Sequence, residues 1–281
     1  MITLQNKDLT VTVSEQGAEM QTLVSEGINY LWCGDPAVWG KHAPVLFPIC
    51  GALKGGQYTY EGNTYTMEKH GFARFEQFVP ETVTDTEATF VLRADEKSRA
   101  CYPFDYAFRI GYRLIGKTVE ITYEVENPSA SSLYVSVGSH EGYACPEGIE
   151  AYEVVFPQPE TLYTTPDPLT SDDKQLVIEN QTVLPLREAD YAIDALIFRD
   201  GTRSDSLQLR HKASGRGVEI RYEGFEHLLL WQPHKAPFIC IEPWCGFPDT
   251  AEHDGDLTHK VGIQRVEGGE TFRRMHSITV L

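Results

Sequence analysis

Alternation of apolar and polar residues restricts the fold of this chain more than any other feature. In "YAFRIGYRL" the residues Phe108, Ile110, Tyr112 and Leu114 share one face, and after Gly116 and Lys117 the run "TVEITYEVEN" repeats the pattern with Val119, Ile121, Tyr123 and Val125. A period of two is that of a strand with one buried face, and two such runs about a short Gly-containing turn predict an antiparallel hairpin. "YTYEGNTYTM" reads the same way, turning at Glu61-Gly62-Asn63.

Further strands are expected at Leu9 to Val13, Thr89 to Arg93, Leu133 to Val137, Gly217 to Tyr222, Pro237 to Ile241 and His276 to Leu281. No window of a dozen residues carries an apolar stripe of helical period with caps, and the best helical candidates are short pieces such as Glu188 to Asp194. The fold class expected is all-β, mainly antiparallel. Turn signals recur along the whole length without an intervening Pro/Ser/Gly-rich linker or an internal repeat, which favours one β-sandwich domain over residues 1–281. The stretch Pro157 to Leu186, rich in Pro, Asp and Thr, reads as a long surface excursion of the kind that often borders a binding site.

Charge narrows the partners. With 41 Asp and Glu against 24 Lys and Arg, the formal net charge is -17, and no run of Lys or Arg exceeds two residues. Phosphate backbones and anionic membrane surfaces need clustered cations, so neither a nucleic acid nor a membrane is an expected partner. A small neutral ligand in a local pocket is compatible with this balance. The N-terminus "MITLQNKDLT" lacks a basic segment followed by an apolar one, and no run approaches a membrane span. Six cysteines without a CxxC pair or a zinc-type spacing read as reduced, mostly buried thiols. The expected location is the cytoplasm, with the protein a monomer or homodimer and no metal or other cofactor.

Two titratable residues stand out from the rest. His140 ends the strand-like run "LYVSVGSH" before "EGYACP", where a rigid scaffold would hold an imidazole facing an opening. The alternative is a histidine satisfied by a neighbouring carbonyl or by Glu141. Glu242, in "PFICIEPWCGFPD", follows four buried-looking residues and precedes Pro243, which is expected to stop the strand. Burial raises a carboxyl pKa into the range useful for proton transfer. The alternative is an ion pair with an arginine at a strand end. Neither GxSxG, HExxH nor a Gly-rich phosphate loop is present, so this pair suggests acid/base work rather than acyl transfer. Phe72, Trp231 and Trp244 are candidates to cover the apolar face of a sugar ring, or are ordinary core.

Four segments in order, "HAPVLFPICGALKGGQYTYEGNTYTMEKHGFAR" (42–74), "SVGSHEGYA" (136–144), "IDALIF" (193–198) and "PFICIEPWCGFPD" (237–249), resemble the aldose 1-epimerase (galactose mutarotase) family, most closely its LacX-like branch. The resemblance implies a β-supersandwich, no metal, and interconversion of the α and β anomers of a free aldose. It makes Glu242 the base that takes the C1 hydroxyl proton and His140 the acid that protonates the ring oxygen. It also makes His70 a second histidine on the sugar, Asp194 a holder of sugar hydroxyls, and Arg74 a supporting cation. In "HGFAR", Gly71 would allow close backbone approach and Phe72 would shape the wall.

Two positions depart from the branch. Ala52 stands where it usually has a sugar-contacting arginine, leaving Lys54 as a possible substitute. Glu141 stands where it usually has proline, either raising the pKa of His140 or facing solvent. A non-catalytic sugar-binding or sensor protein, and a sugar-6-phosphate mutarotase using Arg74 and Lys54 as its cations, are the alternative readings.

Overall fold

The computed structural model describes residues 1–192 and 194–281. Every pairing between strands is antiparallel. The hairpin read from alternation forms the middle of a nine-stranded sheet, with Ala107–Ile115 paired to Thr118–Glu126 in unbroken register. Phe108, Ile110, Val119 and Ile121 point from it into the core. The second predicted hairpin joins Gln57–Tyr60 to Asn63–Thr66 through Glu61 and Gly62, which have φ of 48° and 76°. Positive φ at both central residues is what a tight two-residue turn between twisted strands requires.

A four-stranded sheet runs from Ile2–Gln5 to Ile28–Asn29, and a five-stranded sheet is centred on Phe238–Cys245. One continuous apolar cluster joins them, taking Leu4 and Val11 from the first small sheet, Leu230 and Ile239 from the second, and Phe108 and Tyr123 from the large one. Burying one face of each sheet against another is how such an architecture removes its apolar surface from water. No helix among the described residues is long and apolar enough to cross a membrane. The six cysteines are all free, four of them buried.

Several expectations need correction. The stretch Pro157 to Leu186 is largely a long ribbon, Tyr152–Thr164 against Gln175–Pro185, added to one edge of the large sheet, and only its tip is a loop. Register shifts in the ribbon disrupt the alternation, which is why its strands are hard to read in sequence. The expected helical piece Glu188 to Asp194 contains a 3-10 turn over Glu188–Tyr191. Ile193, which belongs to that piece and to "IDALIF", lies outside the described residues.

Pro243 does not stop its strand, which runs Phe238–Cys245. The register that pairs Gly138 with Trp244 and Glu141 with Ile241 sets Ser139 opposite Pro243. Ser139 N–H donates to the Pro243 carbonyl (3.1 Å), and the Ser139 carbonyl, which proline cannot serve, accepts the Trp244 indole N–H instead (3.0 Å). The missing donor is thus replaced and the strand continues. For the same reason "EGYA" is no loop: Glu141–Ala144 resumes pairing after this interruption.

Candidate functional site

That interruption positions the two residues singled out for proton transfer. With Ser139 opposite Pro243, His140 falls directly opposite Glu242 across the same strand pair. His140 Nε2 lies 3.4 Å from Glu242 Oε1. Both are almost inaccessible, with relative exposures of 9% and 2%. Burial is the main influence on each: it pushes the His140 imidazole down to about 3 and the Glu242 carboxyl well above its usual range. Lys69 opposes the rise at Glu242, while Glu141 and Asp194 add to it. Burial thus favours the neutral form of both groups.

His70 approaches from a different segment. Its N–H donates to the Gly51 carbonyl (2.9 Å), and Gly51 N–H donates to His70 Nδ1 (3.1 Å). Because Nδ1 accepts, the ring proton sits on Nε2. Burial, then the neighbouring His140, Lys69 and Arg74, hold His70 well below its usual pKa and hence neutral. His70 and Gly71 both have φ of 69°, and a Cβ on Gly71 would lie 2.2 Å from the Phe47 carbonyl oxygen, so this bend requires glycine. His70 packs edge-on to His140 and to Trp244, with ring centroids 5.6 and 5.3 Å apart.

A cavity of about 370 Å³ opens over these groups, lined among others by His70, His140, Glu242, Asp194, Arg74, Trp231 and Trp244. Asp194 precedes the strand Ala195–Phe198, has φ of 114°, and accepts the Trp231 indole N–H at 2.7 Å. Backbone strain of this kind persists only where the surroundings hold it, and it recurs at functional sites. Trp39 stacks on His140 at 5.2 Å and meets Trp231 edge-on at 5.6 Å, so two indoles wall the cavity beside the titratable pair. Flat aromatic faces of this sort suit the C–H face of a sugar.

The structure removes two residues from the expected set. Phe72 packs into the core against Phe47, Tyr102 and Tyr106, and Phe75 lines the cavity in its place. Phe72 stands just before the 3-10 turn Ala73–Phe75 and Phe75 closes it. Lys54 is likewise absent from the cavity wall: its Nζ donates to the Ala251 carbonyl (2.7 Å) while its N–H donates to Asp249 (2.8 Å). Ala52 does line the cavity, while Lys54 is turned to the Ala251 carbonyl.

Glu141 is neither beside His140 nor in solvent. Successive strand residues point to opposite faces, so Glu141 faces the core and its Oε1 meets His276 Nε2 at 3.2 Å. Trp39, Phe75, Lys41, Lys69 and the ribbon tip Pro166 to Leu169 also line the cavity. Of these, only the ribbon was signalled, by its composition; the others sit on loops or turns without periodicity.

A buried ion pair backs the site. Lys260 Nζ lies 2.6 Å from Asp249 Oδ1, and neither side chain is exposed. Asp249 also receives Lys54 N–H, and its own N–H donates to the Ala52 carbonyl (2.9 Å), fixing the loop that presents Gly51 to His70. As for a metal, His140, Cys240 and Glu242 bring possible donor atoms within 4.8 Å of one another. Burial raises both the Cys240 thiol and the Glu242 carboxyl, so a cation there would have to displace two protons.

A family model described as aldose 1-epimerase matches residues 1–262. Two LacX proteins of Lactococcus lactis subsp. lactis, plasmid and chromosomal, are each 30% identical over 297 residues, covering 100% of this chain and 99% of theirs. A solved structure of a galactose mutarotase related enzyme from Lactobacillus acidophilus superposes with a TM-score of 0.92 at 31% identity, covering 99% of this chain and 96% of that one. A galactose mutarotase-like protein from Lactobacillus casei gives 0.91 at 26% identity, with both chains covered completely.

Proposed function

The chain belongs to the aldose 1-epimerase family, and from that premise we propose that it interconverts the α and β anomers of an aldose by acid/base ring opening. The observation that carries this reading is the buried pair Glu242 and His140, opposed across two strands at 3.4 Å and open to the cavity. Ring opening must take a proton from the C1 hydroxyl and give one to the ring oxygen, and closure on the other face reverses both transfers. A pair that holds one proton matches that need, because one member is always ready to accept and the other to donate.

Before a sugar binds, burial favours the protonated carboxyl of Glu242. A sugar C1 hydroxyl donating to the carboxyl group stabilises its charged form. The proton then moves to His140 Nε2, leaving a carboxylate base and an imidazolium acid. His70 donates through Nε2 to a sugar oxygen, Asp194 accepts from sugar hydroxyls, and Trp39 and Trp231 cover the ring. The reaction needs no net proton exchange with solvent.

NMR exchange spectroscopy on equilibrated glucose and galactose tests this reading. Exchange between anomers should rise above the buffer rate in proportion to protein concentration. Sugar binding by calorimetry with exchange at the buffer rate would instead favour a non-catalytic sugar-binding role on the same fold.

A further inference from the structure

Resting on that reading, we propose that the aldose carries an anionic substituent, a phosphate or a carboxylate, and that Lys41 and Arg74 at the cavity rim recognise it. Both side chains line the cavity and both lie over the ring of Phe75, the Lys41 Nζ at 5.6 Å and the Arg74 guanidinium carbon at 4.7 Å from its centroid. In a chain of net charge -17, neither has a carboxylate within 4.0 Å among the described residues. Among the described residues Lys41 Nζ has no hydrogen-bond partner and meets only the Phe75 ring. The Arg74 guanidinium donates once, to the Lys69 carbonyl at 2.7 Å, and its Nε is buried without a partner.

The acids of the cavity are placed differently. Asp194 accepts from Trp231 and faces Lys69 at 4.0 Å, while Asp167 is occupied by Leu169 N–H and the Thr170 hydroxyl in its own loop. Burial raises the Glu242 carboxyl well above its usual range. Glu68 influences Arg74 through space without pairing with it. The cavity thus engages Asp194 and Asp167 within the protein and leaves two cations beside the Phe75 ring without a carboxylate partner among the described residues. A guanidinium and an ammonium that line one cavity beside the same ring suit an oxyanion with several acceptor oxygens. When C1 and the ring oxygen meet Glu242 and His140 at the floor, the substituent directed to the mouth is the one that reaches this rim. Since the protein's net charge repels an anion at a distance, discrimination must come from these local contacts, within the screening length of about 8 Å at physiological salt.

The test measures glucose, glucose 6-phosphate and glucuronate in parallel, by calorimetric binding and by anomer exchange, with wild type, Lys41→Ala, Arg74→Gln and the double variant. We expect at least one anionic sugar to bind and exchange about 10- to 100-fold better than glucose, the advantage of a charge-assisted contact. Each single substitution should erode that ratio and the double variant abolish it. Preference for glucose 6-phosphate assigns a phosphate; preference for glucuronate assigns a carboxylate. Equal or weaker handling of both anions, or a preference that survives the double variant, overturns the proposal. Tighter anion binding without exchange of any sugar sustains this inference and defeats the enzymatic reading, whereas exchange of glucose alone does the reverse. Lys41→Ala, which removes a side chain whose one aromatic contact is Phe75, keeps the test interpretable if Arg74 variants fail to fold.

Discussion

At the floor of the cavity Glu242 and His140 face each other from paired strands and are almost without exposure, whereas at the rim Lys41, Arg74 and Phe75 stand on loops and turns. The floor is fixed by backbone register: moving either strand by one residue would turn His140 or Glu242 to the other face. Burial favours the uncharged form of both its groups. The rim is fixed by side-chain packing, and its two cations have no carboxylate partner among the described residues. Chemistry common to any aldose is thus placed where geometry is stiffest, and selection among aldoses where the chain tolerates change.

The largest effect expected from breaking the floor is in proton transfer. His140→Gln removes one positioned acid/base group and should lower kcat for anomer exchange by about 10²- to 10⁴-fold, measured by NMR. In the wild type, burial depresses the His140 pKa to about 3 and raises that of Glu242. The pair then keeps its single proton from about pH 3 upward until Glu242 ionises. The profile of kcat/KM, which reports the free protein, should therefore show no acid limb near the ordinary histidine value of about 6.5. A limb there would mean that His140 titrates as an exposed imidazole.

The buried Asp249–Lys260 pair backs the site without lining the cavity. Asp249→Asn leaves a buried lysine without its counter-charge and should cost about 3–5 kcal/mol in urea unfolding. A loss below about 1 kcal/mol would show that water reaches Lys260. At the small end, Lys54→Ala removes a side chain directed to the Ala251 carbonyl and away from the cavity. It should change the exchange rate by less than about twofold, with stability within about 0.5 kcal/mol. A larger loss of activity would place Lys54 in the position that Ala52 leaves open.

The floor was legible in the sequence because register and burial leave a local imprint. Alternation gave the hairpin over Ala107–Ile115 and Thr118–Glu126, and the apolar neighbours of Glu242 gave its burial. The segments that resemble the family contain His70, His140, Asp194 and Glu242, and the structure brings all four to one cavity. What sequence misjudged depends on long-range compensation. Pro243 continues its strand because a tryptophan indole serves the carbonyl that proline cannot, and Glu141 turns inward because His276 waits there from a strand 135 residues away.

The rim was hardly legible. Phe72 and Phe75 are separated by a single 3-10 turn, and nothing in "HGFARFE" says which of them faces the cavity. Lys41 and Trp39 precede the first resembling segment on a stretch without periodicity. Lys54 looked like a pocket cation only because the chain distance to Ala52 is short; its backbone and side chain are both claimed by the segment Asp249 to Ala251.

The account rests on Glu242 as the group that accepts the C1 hydroxyl proton, and Glu242→Gln tests this most directly. The variant keeps the shape and a hydrogen-bonding side chain but cannot take up that proton. Anomer exchange by NMR should fall by about 10²- to 10⁴-fold while calorimetric sugar binding changes by less than about tenfold. Exchange at the wild-type rate in a folded Glu242→Gln protein would contradict the role assigned to the pair.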